Sequence, residues 1–174
     1  VNPLAAQILA ILFAAGRSVS IAELSRGLVQ PDAEVKKALA SLGRTLEAGA
    51  FGVTLEEVAG GWRLVVHPKH HPAVHRALRP RPPRLSRAAL EVLAIVAYRQ
   101  PITRAEIEAI RGKNSDAVLE GLEARGLVSV VGEKATIGRP KLYGTTQRFL
   151  EVFGLQSLDE LPGLEGPELP LLRD

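Results

Sequence analysis

Val19-Ser-Ile-Ala-Glu-Leu24 and Ile102-Thr-Arg-Ala-Glu-Ile107 are two versions of one pattern, 83 residues apart. In each, a hydroxyl residue (Ser20, Thr103) is followed three positions later by a glutamate (Glu23, Glu106). The hydroxyl accepts from a free amide of the first helical turn and the glutamate reaches back to the cap amide, which is a capping box. Two helices therefore begin at matching places in the two halves. The match extends outward at the same shift, Val35 with Val118 and Leu39 with Leu122 downstream, and Leu9, Leu12 and Ala14 with Val92, Ile95 and Ala97 upstream. Each half reads as a helix, a capped second helix and a third helix. Asp32, and Asn114 or Ser115, are the expected caps of the third helices, and Gly43 and Gly126 their expected ends.

Strand patterns follow the third helix in both halves. Val53 to Val58 and Trp62 to Val66 flank Gly60-Gly61, a hairpin signal. Leu127 to Val131 and Lys141 to Thr145 flank a longer connection, Gly132 to Pro140. Three helices and a β-hairpin make a winged helix, so the expected fold is α+β and mainly helical, two tandem winged-helix domains each with a hairpin wing. The halves meet in a proline-rich stretch, with Pro68, Pro72, Pro80, Pro82 and Pro83. Proline fixes φ and biases its predecessor away from helix. The expected divisions are an N-terminal domain over 1–67, a basic linker over 68–84 containing a short helix from Ala73 to Leu78, and a C-terminal domain over 85–156. A short turn and a flexible acidic tail over 157–174 complete the chain.

The 174 residues carry a net charge of +3, unevenly spread. Residues 58–87 hold seven Lys/Arg and no acid, whereas residues from 151 on hold six acids and one Arg. Lys69, Arg76, Arg79, Arg81, Arg84 and Arg87 are thus the candidates for weak phosphate or DNA contact. The helix that would enter a DNA groove, Ser115 to Arg125, carries three acids and one base, which opposes sequence-specific reading. Gly138-Arg139-Pro140 resembles the core of a minor-groove hook, but glycine and proline are also ordinary turn residues. His67, His70, His71 and His75 have no cysteine or carboxylate beside them in sequence to complete a metal site. With no cysteine in the chain, disulfides and thiolate metal sites are excluded. Phosphate loops, zinc-protease motifs and nucleophile elbows are absent. We expect no catalytic residues, no cofactor and no metal. No apolar stretch reaches the ~20 residues of a membrane span, so we expect a cytoplasmic protein.

The first helices, Leu4 to Ala15 and Ala88 to Tyr98, are more apolar than one small domain can bury. Their surplus apolar surface points to a second copy or a partner.

The second half closely resembles a known family. Ala89-Leu-Glu-Val-Leu-Ala-Ile-Val-Ala-Tyr-Arg-Gln-Pro-Ile-Thr103, Glu106-Ile-Glu-Ala-Ile-Arg-Gly112 and Gly138-Arg-Pro-Lys-Leu-Tyr-Gly-Thr-Thr146 are similar to signatures of the segregation and condensation protein B family. So are Phe149-Leu-Glu-Val-Phe-Gly-Leu155 and Leu158-Asp-Glu-Leu-Pro162. The resemblance implies a non-catalytic tandem winged-helix subunit of the bacterial SMC–kleisin complex, acting in chromosome condensation and segregation at the nucleoid. It implies a homodimer paired mainly through N-terminal domains, with Gln7, Leu9 and Leu12 as candidates. It also implies that C-terminal domains bind the kleisin subunit, segregation and condensation protein A, and through it the SMC ATPase. The contact candidates are Tyr98, Arg99, Arg139, Tyr143, Arg148 and Phe149, since aromatics and arginine dominate interface hot spots. The competing reading is a winged-helix transcription regulator.

Overall fold

The structure is a computed structural model that describes residues 2–78 and 84–163. The chain divides into two compact units, Val1–Pro82 and Pro83–Asp174.

In the first unit, α1 (Pro3–Ala15) is started by Asn2, whose side-chain oxygen accepts from the Leu4 amide. It is followed by α2 (Ile21–Leu28), α3 (Asp32–Gly49) and the hairpin β1 (Val53–Val58) and β2 (Gly61–Val66). Ala5, Ile8 and Leu12 of α1 meet Leu24 of α2 and Val35, Ala38, Leu39, Leu42 and Leu46 of α3 in one core. Their 3–4-residue spacing gives each helix a single buried stripe. The hairpin turns on Ala59-Gly60, both at positive φ, as a two-residue type I′ loop requires. The expected turn, Gly60-Gly61, is therefore displaced by one residue. Gly61 pairs with Val58 and serves another purpose: the Val19 backbone crosses there, exchanging hydrogen bonds of 2.9 Å with Trp62. A Cβ on Gly61 would lie 2.7 Å from the Val19 carbonyl oxygen. After a 3₁₀ turn (Pro68–His70), α4 (His71–Leu78) closes the unit and buries none of its side chains.

The second unit repeats this plan. It contains α5 (Arg87–Arg99), β3 (Ile102–Thr103), α6 (Arg104–Arg111), α7 (Asp116–Ala124), β4 (Val128–Glu133), β5 (Lys141–Thr145) and α8 (Gln147–Phe153). A 3₁₀ turn, Leu158–Glu160, follows. The sheet is antiparallel in the order β3-β5-β4, with a bulge between Val130 and Gly132. Val92, Leu93, Val96, Ile107, Leu119, Leu122 and Phe149 form the core. Leu158 remains exposed, while Leu161 packs on this core.

Two local expectations are corrected and one alternative is resolved. Gly43 does not end α3, which runs on to bury Leu46 and stops in the left-handed Ala50. Asp32 lies inside α3, where Pro31 holds the cap position without a side-chain bond. In the second unit Ser115 holds the cap position, but Asn114 supplies the oxygen, accepting from the Asp116 amide at 3.1 Å. Gly126 does follow α7 as expected, at positive φ. Its amide donates to the Glu123 carbonyl and that of Leu127 to Leu122, the paired bonds of a Schellman motif.

The repeat also carries compensating one-residue length changes. At a shift of 83, Val19 matches Ile102, the capping boxes coincide, and left-handed Val29 matches Gly112. In the first helices the buried pairs are instead Ile8 with Val92 and Leu12 with Val96, a shift of 84, and α3 and α7 also start 84 apart. The ungapped alignment thus holds only for the centre of the motif.

Both capping boxes are formed. The Ser20 amide donates to Glu23 Oε2 at 2.9 Å, and the Glu23 amide to Ser20 Oγ at 3.2 Å. The Thr103 and Glu106 bonds are 2.9 and 3.3 Å. The Ser20 amide, with Arg17 at 2.9 Å, lowers the Glu23 pKa to about 2. Lys134 at 2.6 Å, with the Thr103 amide, lowers that of Glu106 to about 2. Both groups stay ionised in the fold while the unfolded chain takes up protons near its ordinary value of 4.5. Their stabilisation is therefore complete above pH 4.5 and is lost as pH falls toward 2. Glu23→Gln and Glu106→Gln should flatten the fall of stability across that window in acid titrations. Ser20→Ala and Thr103→Ala should each cost about 1 kcal/mol in chemical denaturation at neutral pH.

Candidate interaction surfaces

The buried stripe of α1 leaves Ala6, Gln7, Ala10, Phe13 and Ala14 outside. These recur at helical spacing and carry no charge, and Phe13 is 79% exposed. Of the residues expected at a dimer interface, Gln7 is exposed and Leu9 half-buried, whereas Leu12 is 2% exposed and belongs to the core. Leu12 falls one helical position away from the outer stripe, which the near-continuous apolar sequence of α1 conceals.

The six candidates in the second unit separate in the same way. Phe149 is 0% exposed, packed against Phe153 with ring centroids 4.8 Å apart. It belongs to the core of its own unit and is not on the surface. Tyr143 is 8% exposed and pairs with Ile102 in the sheet. Burial, with the charge of Glu123, raises its hydroxyl pKa, so Tyr143 is a core residue as well. Tyr98 is half-buried, its hydroxyl donating to the Pro162 carbonyl at 2.7 Å. Arg99, Arg139 and Arg148 are exposed. Arg139 sits on the wing at positive φ, paired with Glu133 at 3.1 Å. Arg148 donates to the Arg125 carbonyl at 3.0 Å.

Charge on α7 is segregated. Asp116, Glu120 and Glu123 share one side, where Arg104 holds Asp116 at 2.6 Å. Ala117, Gly121 and Arg125 follow the other side, facing the start of α5. There a groove of about 290 Å³ opens. Sequence reading weighed the acidic side of this helix and missed the groove, whose small residues carry no composition signal.

In the basic segment, Lys69, Arg76, Arg84 and Arg87 are exposed, while Arg79 and Arg81 lie outside the described residues. Three of the four histidines make local contacts. His67 Nδ1 accepts from the Lys69 amide at 3.3 Å, and its Nε2 faces Glu47 at 3.5 Å. His71 Nε2 lies 3.2 Å from the Val66 carbonyl oxygen. The ring of His70 stands edge-on to His67. Among the described residues no group of three His, Asp or Glu side chains converges as a metal site would need, and no helix is long and apolar enough to cross a membrane.

Two winged-helix units, one with an uncharged outer helix face and the other with a cation-rimmed groove, make this a tandem winged-helix protein. The model of the family "Segregation and condensation complex subunit ScpB" matches residues 6–164, and the chain belongs to that family. Segregation and condensation protein B of Moorella thermoacetica is 48% identical over 155 residues, 89% of this chain and 80% of the relative. That of Geobacillus thermodenitrificans is 45% identical over 165 residues, 94% and 79% of the two chains. Among solved structures, ScpB from Mycobacterium tuberculosis is 37% identical, covering 88% of this chain and 96% of its own, with a TM-score of 0.43. A dimer of the ScpB N-terminal domain complexed with ScpA peptide is 26% identical, covering 43% and 94%, with a TM-score of 0.42.

Neighbouring residues on α8 provide a test of the division between core and surface. Phe149→Ala should cost about 3–5 kcal/mol in chemical denaturation, and Arg148→Ala less than about 0.5 kcal/mol.

Proposed function

We propose that this chain is a non-catalytic subunit of a bacterial SMC–kleisin complex, dimerising through its first unit and binding the kleisin, segregation and condensation protein A, through its second. It works at the nucleoid in the cytoplasm, and its link to the SMC ATPase runs through the kleisin. The observation that carries this reading is the outer face of α1. Residues 1–16 contain no charged side chain, and an exposed face of alanines ending in Phe13 suits close approach of an identical helix. In a two-fold interface the same patch meets itself, so an uncharged face avoids like-charge repulsion. Membership of the family supports the same assignment.

Ala10 is exposed in the middle of that face. Ala10→Glu should give a monomer by sedimentation at tens of micromolar, with an unchanged circular dichroism spectrum and a melting temperature that no longer depends on concentration, where the unsubstituted chain sediments as a dimer. A monomeric unsubstituted chain would refute the dimer reading.

The transcription-regulator reading requires α7 to face phosphate, and its acidic side opposes that. DNA binding should therefore be weak, indifferent to sequence and steeply lost with added salt, in mobility shifts with unrelated duplexes of equal length. One preferred sequence, bound at high salt, would favour the regulator.

A further inference from the structure

The groove between the start of α5 and α7 has an apolar floor of Leu85, Ala89, Val118 and Leu122. On its α7 side, Ala117 and Gly121 leave room for a main chain to come close. A Cβ built on Gly121 meets no atom within 4 Å. Arg84 and Arg125 line the rim, and the bond from Arg148 to the Arg125 carbonyl adds a third guanidinium nearby.

Five carboxylates of this unit are held by groups other than the rim arginines, and Glu120 and Glu123 lie on the opposite side of α7. Arg111 holds Glu91 at 3.2 Å, Arg104 holds Asp116, Lys134 holds Glu106 and Arg139 holds Glu133. Glu108 accepts from the Ser115 amide at 2.9 Å. Arg84, Arg125 and Arg148 have no acidic partner among the described residues. An apolar trough beside three uncompensated guanidiniums is complementary to a peptide with a bulky apolar side chain between carboxylates. Nucleic acid fits it poorly, since phosphates would pair with the rim and leave the floor wet. A volume of about 290 Å³ is near the lower end of ligand pockets, enough for one or two large side chains.

We propose that this groove receives an acidic segment of the kleisin, seating a leucine or a similar apolar side chain on Leu85, Val118 and Leu122 and pairing its carboxylates with Arg84 and Arg125. The assignment rests on the kleisin reading given above. Arg148 joins the same site, whereas Tyr98 and Arg99 lie at the opposite end of α5.

Titration calorimetry of the full chain tests this, with the kleisin of the same genome and then twenty-residue peptides tiling its central region. Gly121→Leu adds a side chain whose Cβ enters open space and favours helix, so its melting temperature should equal or exceed that of the unsubstituted chain. Gly121→Leu and Arg125→Glu should each weaken kleisin binding by at least about tenfold, the scale of an interface hot spot. The peptide that binds should carry an apolar residue between acids. If the unsubstituted chain fails to bind kleisin, the functional reading falls and the groove assignment with it. If it binds and both variants bind equally well, the groove assignment alone is overturned. In that event, dissociation of the dimer by Gly121→Leu would assign the groove to a second copy. A melting temperature lowered by truncation after Gly163 in the unsubstituted chain, but not in Gly121→Leu, would assign it to residues 164–174.

Discussion

Each unit depends on one coupling: the residue that pairs with the wing is followed at once by the residue that caps the second helix. Val19 bonds to Trp62 and Ser20 closes the capping box. Ile102 pairs with Tyr143, and Thr103 pairs with Leu142 while closing the second box. Strand pairing fixes the cap residue in the extended conformation that a cap requires. The helices and hairpin are thereby one unit although the third strand is no more than two residues long. In the second unit the wing returns to the same point, since Lys134 binds the carboxylate that closes the box.

The parts of this arrangement with a local signature were legible in the sequence. The capping boxes, the strand alternation and the apolar first helices led to two winged helices. The third strand was missed because one or two residues cannot display a period, and its evidence is the distant backbone of Trp62 or Tyr143. Gly61 was misread for the same reason: its need is steric, set by Val19, whereas the turn glycine is Gly60. The compensating length changes were hidden because the boxes align without a gap and the runs of alanine and leucine around them match at more than one register.

The candidate site was less legible. Exposed and buried positions of α1 are nearly indistinguishable by residue type, so Leu12 was expected at a surface and lies in a core. Tyr143 on β5 and Phe149 on α8 were singled out as aromatics, a residue type that fills cores as readily as interfaces, and both are buried. The two units also diverge in what covers them. In the second, the chain returns after α8 and Pro162 accepts from Tyr98 at the end of α5. In the first, α4 buries nothing and Phe13 stays uncovered. Sequence symmetry therefore overstates functional symmetry. The shared framework supplies two platforms, and the differences lie in uncharged alanines on one and arginines beside small residues on the other.

The bond between Tyr98 and Pro162 has a mechanical consequence. The chain comes into the second unit at the start of α5 and leaves it beside the other end of that helix. The twelve helical steps from Ser86 to Tyr98 span about 18 Å at the rise of an α-helix. Tension applied through the two ends of this unit is therefore directed along the axis of α5. Side chains packed down the helix resist such shear together, whereas peeling would release them one after another. That geometry lets pulling on the chain be borne along the whole buried stripe of α5.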